Sequence, residues 1–368
     1  MKATISILLE TIQDQEQSFS NLQQTYHLVC NQIVPSVIEN RCWNRVALHH
    51  LVYKKIRENS PLGSQMICNA IFSVCKAYKA KPIGKDEPIP VIQFRKYKSI
   101  HFDRRTYSIK GNILSLYTLE GRIRIPMRMG PFQEKYFSQG IPREAELICR
   151  KGRWYFNLVL ELPDPVKTDK TKMIGIDLGE NVLAASSTGT LYGGGKIRYE
   201  RHQHLAKRQR LQSNGTQSSK QLLKKISGKE ARRMKHINHE VSKGIIQEAV
   251  KQEAGIIVLE DLTHIRSRIK AGKKVRSRLH RWAFRELQTM IQYKAEAKGL
   301  QVIYINPAYS SQECSKCGCL GVRHRHHFKC LCGNQQHSDL NASRNLCRFA
   351  LSLDNATCAV DRTQVAAL

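Results

Sequence analysis

The chain has 368 residues, with 60 lysines and arginines against 30 aspartates and glutamates, which gives a formal net charge of +30 at pH 7. This positive excess is spread along the whole chain and favours a polyanionic partner such as nucleic acid. No run of about 20 apolar residues occurs, and residues 1–30 lack the pattern of a signal peptide, so we expect neither a membrane span nor a leader.

The N-terminal half of the sequence predicts a strand, then helices, then a series of short strands. Residues 1–9 alternate in polarity as a strand does, and residues 13–80 carry apolar residues at helical spacing, with Ser64 as the N-cap of a helix that runs through Tyr78. From residue 88 to 162, short β segments separated by turn residues indicate a small barrel. These segments are Ile92–Phe94, Ser108–Asn112, Arg122–Ile125, Ala145–Ile148 and Trp154–Leu160.

The C-terminal half predicts an α/β domain after a polar linker at residues 166–172. Met173–Leu178 and Ile256–Leu259 are nearly continuous apolar runs, as buried strands are. Residues 213–219, rich in Ser, Asn, Gly and Gln, predict a loop between two basic helices. A further helix carries one apolar stripe, formed by Met234, Ile237, Val241, Ile245 and Ala249. The other predicted elements are strands at Val182–Ser187, Thr190–Gly195 and Val302–Ile305 and a helix at Trp282–Lys298.

Three acidic residues occupy positions that suit a divalent-cation site. Asp177 and Glu260 follow the two apolar strands, and Asp339 stands where a helix is predicted to begin. Mg²⁺ prefers carboxylate oxygens, and two such ions about 4 Å apart can stabilise both the attacking and the leaving oxygen of a phosphodiester. The order strand Asp, strand Glu, helix Asp therefore points to metal-dependent cleavage of nucleic acid. Taken singly, the same residues also fit a turn, a surface acid and a helix N-cap.

Two close cysteine pairs indicate a structural zinc site. Cys314 and Cys317 are followed by Cys330 and Cys332, and four thiolates on two turns are typical of tetrahedral zinc. The second pair has one intervening residue instead of the usual two, so Cys319 or a nearby histidine remains an alternative ligand. The histidines concerned are His324, His326, His327 and His337. Reduced thiols and metal ligands explain the 12 cysteines better than disulfides do, which predicts a cytoplasmic protein. The absence of a targeting segment favours a bacterial protein, which we expect to be associated with the nucleoid.

Lysines and arginines crowd both halves of the chain. Phosphates would screen the repulsion between these charges, which favours nucleic-acid contact over a merely solvated surface. Two basic regions suggest a large nucleic-acid body, such as an RNA together with its DNA target. A ribosomal protein is a poorer explanation, because such proteins are usually shorter and lack an acidic triad. The candidate contact residues are Lys76, Arg232, Arg233, Arg276 and Arg278.

Five segments resemble the TnpB proteins, RNA-guided nucleases encoded by bacterial insertion sequences and regarded as ancestors of the type V CRISPR effectors. The resemblance extends from about residue 40 to residue 350 and is most specific from residue 173 onward. The segments are Ile174–Gly179, Asn238–Ser242, Val258–Leu262, Pro307–Gly318 and His337–Asn345.

The resemblance implies a bilobed, multidomain α/β protein. A wedge-type β-barrel would comprise residues 1–10 and 84–165, with a helical recognition domain inserted at 11–83. After the linker at 166–172, an RNase H-like RuvC nuclease domain would comprise residues 173–309 and 338–368. A zinc-binding, target-nucleic-acid-binding insert would occupy residues 310–337.

The resemblance also implies an RNA-guided, Mg²⁺-dependent endonuclease of a transposable element, which cleaves double-stranded DNA beside a short transposon-adjacent motif. A guide RNA from the transposon end would supply sequence specificity by base pairing. Two Mg²⁺ ions would bind the three acids, and one Zn²⁺ would bind the four cysteines. Tyr53, Gln65 and Asn69 fall on helices that match the family's motif-reading surface.

Three other functions stay open. A nuclease-inactive, RNA-guided DNA-binding repressor is disfavoured because all three acids are present. A compact type V CRISPR effector is less favoured, because the short chain favours a transposon-borne origin, and the genomic neighbourhood would decide between the two. A transposase or resolvase that joins DNA without RNA is disfavoured because no serine- or tyrosine-recombinase motif is evident.

Overall fold

The computed structural model describes residues 1–95, 97–179, 181–262, 284–306 and 310–365, with side chains described as far as residue 352. The chain divides into two compact units, Met1–Asp164 and Pro165–Leu368. Across these described ranges, no helix is both long and apolar enough to cross a membrane.

The first unit contains three consecutive helices, as the sequence predicts: α1 (Gln13–Glu39), α2 (Arg45–Asn59) and α3 (Ser64–Lys79). The prediction that Ser64 caps α3 is wrong, because the helix begins at Ser64 and Gly63 occupies the N-cap position. A Cβ atom on residue 63 would lie 2.7 Å from the hydroxyl oxygen of Tyr117, so a larger residue there would require the Tyr117 ring to move.

Seven antiparallel strands form the sheet of the first unit, in the order β2-β6-β7-β1-β5-β4-β3. The sheet curls towards closure. The hydroxyl of Tyr107 on edge strand β3 reaches β6 near the other edge and donates a 2.5 Å hydrogen bond to the Arg143 carbonyl. The predicted barrel-like sheet is thus confirmed. Its strands are β1 (Lys2–Leu9), β2 (Ile100–Phe102), β3 (Tyr107–Lys110), β4 (Ile113–Thr118), β5 (Gly121–Arg128), β6 (Ile141–Arg150) and β7 (Arg153–Glu161), with helix α4 (Pro131–Gln139) before β6.

The strand predicted at Ile92–Phe94 is absent, and these residues have no regular secondary structure. The side-chain amide of Asn31 on α1 takes the place of a neighbouring strand. It donates to the Phe94 carbonyl at 2.9 Å and accepts from the Phe94 N–H at 2.8 Å. Both backbone groups of Phe94 are therefore satisfied without a β ladder.

The second unit is built on a five-stranded sheet in the order β10-β9-β8-β11-β12. Strands β8, β11 and β12 are parallel, whereas β9 and β10 continue from β8 as an antiparallel meander. The sequence predicted a strand at each of these places. The bounds are β8 (Met173–Asp177), β9 (Val182–Ser186), β10 (Leu191–Gly193), β11 (Ile256–Glu260) and β12 (Gln301–Ile305).

Helices pack around this sheet. The predicted apolar stripe lies on helix α7 (Lys229–Lys251) and is buried along its whole length. A loop does separate two helices within the predicted range 213–219, but it is shorter than predicted and comprises only Gly215 and Thr216. Gly215 has a φ of 64°, and the Thr216 hydroxyl caps the next helix by accepting from the Ser219 N–H at 3.2 Å. The helices are α5 (Gly195–Asn214), α6 (Gln217–Ile226), α7 (Lys229–Lys251), α8 (Phe284–Glu296) and α9 (Ser338–Val365), and a small sheet comprises β13 (Val322–His324), β14 (His327–Lys329) and β15 (Gln335–His337).

Candidate functional site

Asp177 and Glu260 leave the same end of two adjacent parallel strands. The register of β8 and β11 pairs Ile176 with Leu259, so Asp177 and Glu260 are the next residue on each strand. The two paired residues are fully buried and anchor the strand ends in the core. The two carboxylates therefore emerge side by side at one edge of the sheet.

Asp339 reaches the same edge because helix α9 lies directly on β8. A Cβ atom on Gly175 would stand 2.0 Å from the carbonyl oxygen of Ser343, so only glycine permits this close approach. Asp339 lies one helical turn before Ser343, about 6 Å along the axis. Asp177 lies two strand residues, about 6.6 Å, beyond Gly175. The matching distances bring Asp339 towards the two strand carboxylates.

Burial and the two neighbouring acids oppose the ionisation of Asp177. Burial raises the pKa of Asp177 well above its ordinary value, and the charges of Glu260 and Asp339 raise that pKa further. Burial also raises the pKa of Glu260 to about 6, although a hydrogen bond from Ser310 acts in the opposite direction. Only 9% of Glu260 and 7% of Asp339 are exposed. Crowded, buried carboxylate oxygens of this kind are a donor set that fits Mg²⁺.

Arg323 on β13 is a cation in contact with this site. Its guanidinium donates to Asp339 Oδ1 at 3.0 Å, and its charge lowers the pKa of Asp177. The Ser338 hydroxyl donates to the same Asp339 oxygen at 3.2 Å. Arg323 carries no recognisable sequence signal, because it lies in a run of mixed histidines and arginines without a regular spacing.

The four predicted cysteines come together in a closed cluster. Their sulfur atoms all lie within 4.8 Å of one another, with 3.6 Å between Cys314 and Cys332 and 3.5 Å between Cys317 and Cys330. A tetrahedral zinc site with Zn–S bonds of about 2.3 Å places its sulfurs about 3.8 Å apart. The donor set and the spacing therefore fit zinc, despite the shortened second pair.

The alternative zinc ligands stand elsewhere. Cys319 is exposed, and its carbonyl accepts a hydrogen bond from the Cys314 N–H at 2.8 Å. His326 and His337 stack on each other near Asp339, where they form a group separate from the cysteines. Burial would raise the pKa of Cys314, but hydrogen bonds from the Asn334 amide and from two backbone N–H groups lower it to about 6. A thiol that ionises this readily suits metal binding.

The residues predicted to read the adjacent motif have different surroundings. Tyr53 is half-buried and stacks on His49 with ring centroids 4.5 Å apart. Gln65 donates to Asp103 at 2.5 Å. Asn69 is 1% exposed, and its amide lies 3.4 Å from the Thr106 hydroxyl, so its side chain belongs to the interior of the first unit.

The predicted cationic contacts are exposed where they are described. Lys76 pairs with Glu146 at 3.4 Å, and Arg233 pairs with Glu200 at 3.3 Å. Arg232 is exposed beside Arg233 on α7. Arg276 and Arg278, which the sequence also predicted as contacts, lie outside the described residues.

Comparison with known proteins relates the second unit to two families. Residues 157–266 match the OrfB_IS605 family of probable transposases, and residues 284–346 match the Cas12f1-like TNB domain. The chain is 36% identical over 218 residues to a CRISPR-associated endodeoxyribonuclease Cas12f1 of Sulfoacidibacillus thermotolerans, covering 54% of this chain and 50% of that protein. It is 42% identical over 123 residues to a TnpB-like protein of Methanocaldococcus jannaschii, covering 32% of this chain and 44% of the relative.

A solved structure shares the fold. The cryo-EM structure of a Cas12f1–sgRNA–target DNA complex contains a chain that superimposes with a TM-score of 0.58 at 18% identity, covering 91% of this chain and 83% of that one. The chain spans about half the length of the curated relatives it matches. Parts of the chain are therefore similar both to the TnpB-like proteins and to the Cas12f1 endonucleases.

Proposed function

We propose that the chain is an RNA-guided, divalent-cation-dependent DNA endonuclease with a RuvC-like centre. The observation that carries this proposal is the convergence of Asp177, Glu260 and Asp339 from β8, β11 and α9, where burial and then the other two charges raise the pKa of Asp177. The naming of a relative as an endodeoxyribonuclease supports the same chemistry.

In this proposal, the three carboxylates would hold two Mg²⁺ ions. When bound, the ions supply positive charge to the attacking and leaving oxygens of a phosphodiester. The chain's own residues set the geometry of the carboxylates. Arg323 holds Asp339 Oδ1 at 3.0 Å, and Ser310 donates to Glu260 Oε1 at 3.2 Å, so each of these two carboxylates has one fixed oxygen.

We assign a structural Zn²⁺ to the four cysteines, because a closed set of four thiolates leaves no open coordination position. It would hold together the target-nucleic-acid-binding insert at residues 310–337. Within this range, Cys314 and Phe328 are the buried apolar residues among those described. Because this core is so small, we expect the bound metal to supply most of the stability of the insert.

We assign the other segments of the chain by analogy with the TnpB proteins. Residues 1–10 and 84–165 would form the wedge-type barrel, and residues 11–83 the recognition helices that read the transposon-adjacent motif. The RuvC-like domain would comprise 173–309 and 338–368, after the linker at 166–172. The net charge of +30 suits a guide RNA and a double-stranded DNA target as partners.

A compact type V CRISPR effector is the second candidate, favoured by the 36% identity to a Cas12f1 endodeoxyribonuclease. The chemistry of the site would be the same. The origin of the guide RNA separates the two functions, since one comes from a transposon end and the other from a CRISPR array.

The test is to purify the chain from cells that carry its native locus and to sequence the bound RNA. The loaded complex is then incubated with Mg²⁺ and a plasmid library that contains the matched target, beside an Asp177→Ala control. An RNA from the element's end, with cutting lost in the control, is the expected result. A CRISPR-array RNA would favour the effector, binding without cutting would favour the repressor, and the absence of any specific RNA would contradict the proposal.

A further inference from the structure

One short segment links the carboxylate site to the cysteine cluster. The strap, residues Ser310–Ser315, begins at the serine whose hydroxyl donates to Glu260 Oε1 at 3.2 Å. Four residues later it supplies Cys314, which lies in the cysteine cluster. The strap therefore contacts a candidate catalytic carboxylate at one end and a candidate zinc ligand at the other.

Two buried asparagines of α9 hold the strap. Asn345 donates from its amide nitrogen to the carbonyl oxygens of Ser310 at 2.8 Å and Glu313 at 2.7 Å. Asn341, one helical turn earlier, donates to the same Glu313 carbonyl at 2.6 Å and accepts from the Ser315 N–H at 2.9 Å. Both asparagines are 0% exposed. Their amides replace the backbone partners that an irregular buried segment lacks.

Two further side chains reinforce the same contact. Gln336 donates to Asn341 Oδ1 at 2.9 Å and to the Ser315 hydroxyl at 2.8 Å. Arg348, also on α9, forms an ion pair with the Glu313 carboxylate and lies 3.4 Å from the Cys314 carbonyl. Helix α9 therefore contacts the strap along its length, and the same helix carries Asp339.

This arrangement makes the position of the Ser310 hydroxyl depend on both ends of the strap. A hydroxyl that donates to a ligating carboxylate orients it, and loss of such an outer partner typically costs about 10–100-fold in metal affinity. If the cysteine end is released, the strap keeps its contacts with α9 and Gln336 but loses its attachment at Cys314, which loosens the hold of the Ser310 hydroxyl on Glu260. Opening the cysteine cluster would then weaken cation binding at the carboxylates.

We propose that Asn341 and Asn345 are positioning residues of the nuclease centre, which hold the Ser310 hydroxyl on Glu260 and couple the cation affinity of the carboxylates to closure of the cysteine cluster. This inference rests on the proposed function, because it takes the three carboxylates as a cation site. It assigns the two asparagines a role in metal affinity, which a purely structural contribution to folding would not give them.

The first test measures Mn²⁺ affinity of the full chain by electron paramagnetic resonance of the free ion, with Asp177→Ala defining the site. Ser310→Ala and Asn345→Ala should each weaken Asp177-dependent binding by about 10–100-fold. Ser310→Thr keeps the hydroxyl and should retain wild-type affinity. Ser352→Ala, an exposed serine on the same helix, is the matched control and should change nothing. Circular dichroism verifies that each variant is folded.

The second test measures the coupling. Cys317→Ser should weaken Mn²⁺ binding on its own, and combining it with Asn345→Ala should add little to the larger single effect. Additive effects, or Mn²⁺ affinity within twofold of wild type in the folded Ser310→Ala variant, would overturn the inference. A wild-type chain without any Asp177-dependent Mn²⁺ binding would instead contradict the proposed function itself, so the two failures are distinguishable.

Discussion

Replacing Glu260 by glutamine should stabilise the metal-free chain at neutral pH. The glutamine oxygen can still accept the hydrogen bond that Ser310 donates at 3.2 Å. The volume of the side chain hardly changes, and residue 260 stays buried among its present neighbours. The substitution therefore removes a buried charge and little else, which isolates the electrostatic cost of the candidate site.

The size of the effect follows from the pKa of Glu260, which burial raises from 4.5 to about 6. A pKa difference of about 1.5 between the folded and the unfolded chain corresponds to about 2 kcal/mol of stability. Because the pKa is higher in the folded state, the folded chain binds more protons there. The stability that this proton provides is complete below pH 4.5 and is lost as the pH rises through about 6. The free energy of unfolding of Glu260→Gln should therefore exceed that of the wild type by about 2 kcal/mol at pH 7.5 and by only about 0.8 kcal/mol at pH 5.

Calorimetric unfolding in buffer that contains zinc but no other divalent cation tests this reasoning. At pH 7.5, the midpoint of the second unit should rise by about 4–8 °C in Glu260→Gln, and by less than half of that at pH 5. Added Mg²⁺ should raise the midpoint of the wild type and leave the variant unchanged. A lower midpoint at pH 7.5, or equal shifts at both pH values, would refute the assignment of a charge cost to Glu260.

Three further outcomes follow from the structure. Mass spectrometry under native conditions should find one zinc per chain, lost in Cys317→Ser and kept in Cys319→Ser; zinc loss in both would contradict the ligand set. Gly175→Ala should lower the unfolding midpoint by at least the equivalent of about 1–3 kcal/mol, because its Cβ would meet a helix carbonyl at 2.0 Å, whereas Gly193→Ala enters open space and should be tolerated. Arg232→Ala should weaken RNA binding about equally for all sequences and reduce the salt slope by about one in an anisotropy titration, and an unchanged slope would exclude a phosphate contact.

The sequence predicted the elements that carry a periodic or compact signal. The apolar runs before Asp177 and Glu260 predicted both strands, because a strand buried on two faces needs continuous apolar residues. Strict spacing made the α7 stripe predictable in the same way. The cysteine cluster was predictable because metal geometry requires close pairs, even though the second pair is one residue shorter than usual.

Other features depend on contacts between distant residues and have no local signal. The strand predicted at Ile92–Phe94 fails because the amide of Asn31, distant in sequence, satisfies the backbone of Phe94. Ser310, Asn341 and Arg323 look like ordinary polar residues in the sequence. Their roles emerge only when α9 and β13 are brought beside the carboxylates, which no periodicity encodes.

Strand cleavage by the RNA-loaded chain tests the central claim most directly. The wild type and Glu260→Gln are each given Mg²⁺ and a supercoiled plasmid that carries the guide-matched target. The account predicts that the wild type cuts the plasmid at one defined position, whereas the variant binds the target with affinity within twofold and leaves both strands intact. Cutting by the variant at the wild-type rate would contradict the assignment of Asp177, Glu260 and Asp339 as one catalytic centre.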